Sequence, residues 1–340
     1  MRLSSAFLGT VLIVLGLIAV SHGIFINSGA LDLNPFKCIL STSTVCPHEA
    51  IDFYMFTNLA RRGRSIDVRR PKTITQAGFQ PKHETAIIIH GFNGTQNSKH
   101  IMYLKDAYLS RKFNVITVDW FKLTQYPCYI TALTNTRVVA QCTAQVYAFL
   151  THIGASRHRI TCVGHSLGAH ICGMMGNHLT SRQYKIIGLD PARPLVENHA
   201  SNVFRLTPDD AKVVQVIHTN AGKLGQLTSS GTVDFCVNGG RQQPYCHALN
   251  PIRNYRCSHF LSVCYLANIL FHHKKVIGVP CPHGCVYVKK GRLPLYSTSL
   301  YNIRNILQYM HIGQDTPDHV TGTYCVQVDY AKHCPFNDRQ

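Results

Sequence analysis

The most constraining feature of the chain is the pentapeptide GHSLG at residues 164–168, which separates an apolar run from a helical pattern. The apolar run, Ile160 to Val163, has the length and the β-branched content of a buried strand. Glycines two residues before and two residues after a serine indicate a turn in which the strand and the next helix approach too closely for a Cβ atom. We therefore expect a strained strand-to-helix turn followed by a helix from Leu167 to Thr180.

Short apolar runs and helical patterns alternate along the rest of the chain. A helix is predicted where apolar residues recur at spacings of three and four between Val138 and Ile153. Fully apolar strands that alternate with helices are typical of a parallel sheet covered on both faces, so the fold class is α/β. The further predicted strands are Ala86–Ile89, Val115–Val118, Ile186–Leu189 and Val213–Ile217.

The composition excludes disorder and favours one domain with an anionic partner. The 340 residues are 45% hydrophobic and 15% charged, and they contain no repeat or low-complexity linker. The formal net charge of +18 attracts phospholipid headgroups, polysaccharide or nucleic acid. Lysine and arginine are spread along the chain without a recognition motif, so we expect no nucleic-acid partner.

The N-terminus and the cysteines indicate export. Fourteen cysteines without zinc-module spacing are typical of a disulfide-bonded protein from an oxidising compartment. Arg2 precedes the apolar run Ala6–Val20, and small residues follow it at Ser21 and Gly23. We predict a signal peptide at residues 1–23, with a secreted catalytic domain at 24–340; an uncleaved signal anchor is the alternative.

The serine of the pentapeptide needs a base, and the base needs an orienting acid, in the chain order Ser, Asp, His. Asp190 follows a predicted strand and is the candidate acid; the alternatives are Asp209 and Asp210, which suit a helix N-cap or turn, and Asp234. His259 is the candidate base, on a loop that a disulfide could anchor. His218 competes with it, although the end of a strand favours a hydrogen-bonded core histidine there.

An oxyanion hole completes this prediction. In such a site one N–H comes from the residue after the nucleophile and one from the loop after an early strand. The candidates are the N–H groups of Leu167 and Phe92. His90 and Gly91, which precede Phe92, also suit an ordinary turn at the end of a strand.

With these residues in place, the chain resembles the pancreatic-lipase-like α/β-hydrolases, and within them the insect phospholipase A1 group that includes the wasp venom enzymes. The resemblance implies an α/β-hydrolase fold and a triad of Ser166, Asp190 and His259, with Phe92 and Leu167 as oxyanion donors. The segments that carry it are IIIHGF (87–92), VDW (118–120), GHSLGAH (164–170), IIGLDPARP (186–194), VQVIHT (214–219), GTVDF (231–235), NGG (238–240) and CSH (257–259).

The same resemblance implies a substrate class. Triglyceride lipases of the family have a long lid before the catalytic histidine and a C-terminal β-sandwich for a protein cofactor. This chain has a short segment at 246–257, and we expect neither the β-sandwich nor a colipase-like partner. The expectation is a monomeric phospholipase A1 that acts at a lipid interface without metal or organic cofactor. Triacylglycerol or galactolipid hydrolysis is one alternative, and a non-catalytic yolk-type lipid-binding protein is another.

Cysteine pairing and glycosylation give further expectations. Cys246 and Cys257 would pin the base of the lid, and the resemblance implies a bond between Cys46 and Cys128. Cys162 and Cys172 suit buried free thiols. Cys281 and Cys285 suit halves of two disulfides better than a metal clip. Asn93 begins a glycosylation sequon beside Phe92, and we expect it to be unused because a glycan would crowd the site.

Overall fold

The computed structural model describes residues 38–273, 276–281, 284–285, 308–310, 312–328 and 334, and the architecture is that of these residues. The described residues from Ile39 onward belong to one compact unit. The predicted signal peptide lies outside the described residues. Within them, no helix combines the length and the apolar character that crossing a membrane requires.

Parallel strands form the centre of the sheet, and antiparallel strands extend both of its edges. The five predicted strands are confirmed as β3 to β7, and all of them belong to the parallel part. The order across the sheet is β10-β9-β11-β8-β7-β6-β5-β3-β4-β1-β2. The strands are β1 (Asp52–Phe56), β2 (Arg64–Ser65), β3 (Thr85–Ile89), β4 (Asn114–Asp119), β5 (Ile160–His165), β6 (Gln183–Leu189), β7 (Ala211–His218), β8 (Val233–Val237), β9 (Val276–Pro280), β10 (Gln308–Met310) and β11 (Gly322–Val326).

Helices cover both faces of the sheet, which confirms the predicted α/β-hydrolase fold. Alternate side chains of β3 point to opposite faces, with Ile87 and Ile89 in one core and Ile88 in the other. Helices α3 and α4 pack in the first core, and α2 and α5 in the second. The helices are α1 (Lys72–Gln76), α2 (Lys99–Ser110), α3 (Tyr129–His152), α4 (Leu167–Met174) and α5 (Pro251–His272).

Two predictions about helices are wrong. The helix after the pentapeptide ends at Met174 and continues as a 3-10 turn at Met175–His178, short of the predicted Thr180. Gly176 and Asn177 favour helix poorly, which fits the early end. The segment around His259 is not a loop, because α5 already begins at Pro251, where the Asn250 side chain accepts a hydrogen bond from the Ile252 N–H.

The disulfides confirm part of the predicted pairing and correct the rest. Cys246 is bonded to Cys257 as expected, and Cys281 and Cys285 belong to two different disulfides. Cys46 is bonded to Cys142 rather than to Cys128, because its partner lies on the α3 face against which residue 46 packs. Cys162 and Cys172 are not free thiols but are bonded to each other. Further pairs are Cys236–Cys285, Cys264–Cys334 and Cys281–Cys325; Cys38 and Cys128 are also disulfide-bonded, and no described cysteine is free.

Candidate active site

Ser166 occupies the sharp turn between β5 and α4. Its φ of 56° lies in the left-handed region, which a non-glycine residue adopts only under strain. A Cβ atom on Gly164 would lie 2.2 Å from the Gly168 carbonyl oxygen, and one on Gly168 would lie 2.2 Å from the Ile89 carbonyl oxygen. The predicted close approach of strand and helix is therefore confirmed. The turn presents a buried serine, 8% exposed, at the N-terminus of α4.

Asp190 follows β6 directly and is fully buried. One carboxylate oxygen, Oδ1, accepts hydrogen bonds from the backbone N–H groups of Thr219 and Asn220 at 2.8 and 3.0 Å. The other, Oδ2, lies 2.6 Å from Nδ1 of His259. A Cβ atom on Gly225 would lie 2.4 Å from both carboxylate oxygens, so the carboxylate is enclosed on that side as well. This arrangement fixes one orientation of the carboxylate.

His259 lies in the third turn of α5, and its side chain is nearly buried. Its backbone carbonyl accepts a hydrogen bond from the Ser262 hydroxyl at 2.8 Å. The ring of His165 lies 4.6 Å from the His259 ring, centroid to centroid. Because Nδ1 of His259 faces Asp190, the other ring nitrogen, Nε2, remains for a reacting group. Ser166 and His259 are not hydrogen-bonded to each other in this structure.

The loop after β3 passes directly against the serine. A Cβ atom on Gly91 would lie 2.6 Å from Cβ and 3.2 Å from Oγ of Ser166, so only glycine fits there without displacing it. The N–H groups of Phe92 and Leu167 donate to no other described residue. The Phe92 ring packs edge-on against Tyr129, with 5.1 Å between centroids. Two N–H donors are thus available beside the serine hydroxyl.

His90, the residue after β3, connects this loop to Trp120. Its Nε2 accepts a hydrogen bond from the Trp120 N–H at 3.2 Å, and its carbonyl accepts one from the Trp120 indole at 3.0 Å. The two rings are also stacked. The motif HGF after β3 is therefore tied to the motif VDW at the end of β4, and both the ordinary-turn role and the donor role are compatible with the geometry.

Two further histidines, His100 and His165, lie near His259, and the sequence analysis did not assign them to the site. Burial, together with the charges of the nearby His90 and His259 side chains, lowers the pKa of His100 to about 3. Burial likewise lowers the pKa of His165 well below its usual range. Both rings also contact Phe260. The wall beside His259 is therefore aromatic and neutral. His165 lies inside the pentapeptide, but only the tertiary structure brings His100 to the site.

The competing residues have other partners. His218 is buried and its Nε2 lies 2.8 Å from Oδ1 of Asp234, which confirms the hydrogen-bonded core histidine. Asp210 caps a 3-10 turn through Thr207, as the predicted cap or turn required. Burial raises the pKa of Asp210 to about 6. Asp190 is thus the acid that His259 contacts among the four candidates.

Two further expectations concern the glycosylation of Asn93 and metal binding. Asn93 is exposed, and its Oδ1 accepts a hydrogen bond from the Tyr126 N–H at 3.2 Å; its glycosylation state stays a prediction. The described residues contain no group of three or more histidines, cysteines or acids placed to hold a metal ion.

The chain is similar to known lipases. A family model described as Lipase matches residues 35–299. Phospholipase A1 of Vespula vulgaris is 35% identical over 266 residues, which cover 73% of this chain and 77% of that protein. Pancreatic lipase-related protein 2 of Mus musculus is 33% identical over 251 residues, which cover 67% of this chain and 52% of that protein, so this chain spans about half of its length. A solved alpha-beta serine hydrolase homologue from Coxiella burnetii aligns with a TM-score of 0.32 and 16% identity, over 57% of this chain and 88% of that one.

Proposed function

The chain belongs to the lipase family, and from this premise we propose that it is a secreted phospholipase A1, an esterase that hydrolyses the sn-1 fatty-acyl ester of a phospholipid. The observation that carries the proposal is the 2.6 Å contact between His259 Nδ1 and Asp190 Oδ2, beside a serine held in a strained turn at a helix N-terminus. The name of the wasp relative supports the choice of substrate.

The mechanism is acyl transfer through a serine ester. Asp190 holds the proton of His259 on Nδ1, so Nε2 accepts the proton of the Ser166 hydroxyl as the oxygen attacks the ester carbonyl. The N–H groups of Phe92 and Leu167 stabilise the oxyanion that forms. His259 then protonates the departing lysophospholipid oxygen, and later activates the water that releases the fatty acid. The hydrogen bond between Ser166 and His259 forms when substrate binds. In unliganded enzymes such catalytic hydrogen bonds are often long or poorly aligned.

A short lid favours phospholipid over triglyceride. The disulfide Cys246–Cys257 spans 11 positions, and the segment it closes contains the first turns of α5. A lid of this length leaves room for a bulky polar headgroup at the entrance. Leu249 and Ile252 of this segment are exposed, and apolar residues are also exposed on loops that follow the carboxyl ends of the parallel strands, namely Phe121, Tyr126, Leu195 and Leu227. Because those strand ends share one edge of the sheet, we propose that this edge contacts lipid.

Basic residues at the same edge give the lipid contact its proposed charge preference. Lys122 follows β4, Lys223 follows β7, and Arg253 and Arg256 lie in the first turns of α5; all four are exposed. Each basic residue close to an anionic membrane contributes about 1 kcal/mol, within a Debye length of roughly 8 Å at physiological salt. We expect the inactive Ser166→Ala protein to bind vesicles containing phosphatidylserine more tightly than zwitterionic vesicles, and less so as salt rises. Binding that ignores lipid charge and salt would contradict this.

The decisive experiment combines a labelled serine with product analysis. An organophosphonate should label the wild-type enzyme and the exposed control Ser156→Ala, but not Ser166→Ala, whose turnover should fall by about 10⁴ or more. On a mixed-chain phosphatidylcholine, release of the sn-1 acid supports phospholipase A1, and release of the sn-2 acid contradicts it. Hydrolysis of triacylglycerol or galactolipid without phospholipid would favour the first alternative. Absence of both label and hydrolysis would favour a lipid-binding protein.

The hypothesis that residues 246–257 form a lid has a separate test. Replacing Cys246 and Cys257 with serine should change the ratio of phospholipid to short-chain ester hydrolysis, because the loop supplies no reacting group. The matched control replaces Cys46 and Cys142, whose disulfide joins the chain to α3 away from the lid. If both activities of the lid variant fall in equal proportion, the disulfide positions His259 and the lid reading is wrong.

A further inference from the structure

A second buried histidine–aspartate pair lies next to the first. The His218 ring and the Asp234 carboxylate are both about 1% exposed, and Nε2 of the ring lies 2.8 Å from Oδ1 of the carboxylate. His218 is the last residue of β7, and β7 pairs with β6, the strand that Asp190 follows. The Asp190 N–H donates to the carbonyl of Ile217, one residue before His218. The proposed catalytic mechanism makes no use of this pair.

One short stretch of backbone connects the two pairs. The side chain of His218 binds Asp234, and the N–H groups of the next two residues, Thr219 and Asn220, donate to Oδ1 of Asp190. The position of those two N–H groups is therefore set where β7 ends. Any change in the anchoring of His218 moves the donors that orient Asp190, since one peptide bond separates His218 from the first of them.

Asp234 is held firmly enough to act as that anchor. Its Oδ1 accepts from the Ser230 N–H, and its Oδ2 accepts from the Gly231 N–H, each at 3.1 Å. A Cβ atom on Gly231 would lie 2.6 Å from the carbonyl oxygens of Val214 and Val233, so this turn is packed directly against β7 and β8. The carboxylate cannot follow a displaced His218 ring without breaking these contacts.

The charges around His218 also favour its contact with Asp234. Burial works to lower the pKa of His218, but the hydrogen bond and the charge of Asp234, together with the charge of Asp190, raise the pKa above its usual value. The charged groups that face His218 are thus both carboxylates. The titratable groups around His259 are Asp190, which is a carboxylate, and the buried rings of His100 and His165, whose lowered pKa favours the neutral form. A buried, hydrogen-bonded histidine–carboxylate pair therefore lies next to the carboxylate that orients His259.

We propose that the His218–Asp234 pair is a positioning element of the active site: it fixes the end of β7, whose N–H groups orient Asp190, and through Asp190 it sets the alignment of His259. This proposal rests on the proposed function, because it assumes that His259 is the base. His218 touches no reacting atom. Its loss should lower kcat and leave KM nearly unchanged, since the lipid-binding edge is not altered.

The experiment compares three variants with a matched control. His218→Leu removes the anchor, His218→Gln keeps an N–H donor toward Asp234, and Asp234→Asn keeps the shape of the carboxylate. The control is His170→Gln: His170 is as buried, but its ring nitrogens contact the Ala192 carbonyl at 2.8 Å and the Leu206 N–H at 3.0 Å, and no carboxylate. kcat, KM and the pH profile are measured on a soluble ester after the wild type has shown Ser166 labelling and turnover.

We expect His218→Leu to lose 10- to 100-fold in kcat with KM changed less than threefold, and His218→Gln to recover most of that loss. The acidic limb of the pH profile should move to lower pH in His218→Leu and Asp234→Asn, because a loosely held Asp190 stabilises the protonated His259 less. If His218→Leu fails to fold, the same shift is sought in Asp234→Asn, and His218→Gln should lie closer to the wild type. Profiles that match the His170→Gln control overturn the proposal, whereas an unlabelled and inactive wild type overturns the proposed function instead.

Discussion

The two buried histidine–aspartate pairs have nearly the same parts but present them differently. Each carboxylate accepts two backbone N–H groups and one imidazole contact. In the first pair, Asp190 contacts Nδ1 of His259, which leaves Nε2 of that ring for a reacting group. In the second pair, Asp234 contacts Nε2 of His218, and Nδ1 of that ring is buried. The ring nitrogen that does not contact the carboxylate therefore decides whether the histidine of a pair can transfer a proton to or from a reacting group.

The largest expected effect comes from exchanging the two carboxylates for amides. Asp190→Asn should lower kcat on the order of 10⁴-fold, because an amide no longer holds the His259 proton on Nδ1. The amide oxygen can still accept the N–H groups of Thr219 and Asn220, so the fold should persist. The loss in kcat that Asp234→Asn causes should be at least 100-fold smaller. Equal losses, measured as kcat on a soluble ester, would mean that the two pairs do not differ in role.

A smaller effect is expected from crowding each carboxylate with a methyl group. Gly225→Ala would place a Cβ atom 2.4 Å from both Asp190 oxygens, and a displacement near the site costs on the order of 10²-fold in kcat. Gly231→Ala crowds the turn that holds Asp234. We expect it to lower the melting temperature and to reduce kcat less than Gly225→Ala does. Gly176→Ala is the control, because its nearest neighbour would be 3.8 Å away. Gly225→Ala with unchanged kcat would contradict the tight enclosure of Asp190.

The smallest effect is a pH-dependent change in stability that distinguishes two buried histidines. The pKa of His218 is raised in the folded protein, so its stabilising contribution is complete below the unfolded value of about 6.5 and is lost as pH rises through the folded pKa. The melting temperature of His218→Gln should therefore fall furthest below wild type in acid, and the gap should narrow toward pH 9.

His170 should behave in the opposite way and serves as the control. Burial lowers its pKa to about 4, so the unfolded chain takes up a proton before the folded one as pH falls below about 6.5. The gap between wild type and His170→Gln should shrink in acid. Calorimetry across pH 5 to 9 measures both gaps. Two gaps that change in the same direction would contradict the raised pKa of His218.

The sequence predicted the centre of the fold better than its edges. The runs around Ile87, Val163 and Ile187 are apolar throughout because both of their faces are covered, and periodicity detects such strands. β8 escaped detection because Asp234 interrupts its apolar pattern, and β1 because it begins with the exposed Asp52. Short edge strands such as β2 are too brief to leave a pattern.

The site divides in the same way. Ser166 and Asp190 could be located because glycine and proline mark the turns that carry them. The donors to Asp190 are backbone N–H groups, and their presence depends on no particular side chain, so the sequence could not reveal them. The pairing of Cys46 with Cys142 is likewise a product of tertiary packing, since spacing alone leaves connectivity open.

The disulfide between Cys162 and Cys172 also bears on the order in which the chain becomes cross-linked. It closes a ring of only 10 positions around Ser166, and Cys246–Cys257 closes one of 11 just before His259, whereas Cys264–Cys334 and Cys46–Cys142 span 70 and 96. Chain ends that are near in sequence meet more often, because the entropy of closure grows with loop length. During oxidative folding, the segment that carries the nucleophile and the segment that precedes the base should therefore be closed into covalent rings before the distant cysteines pair.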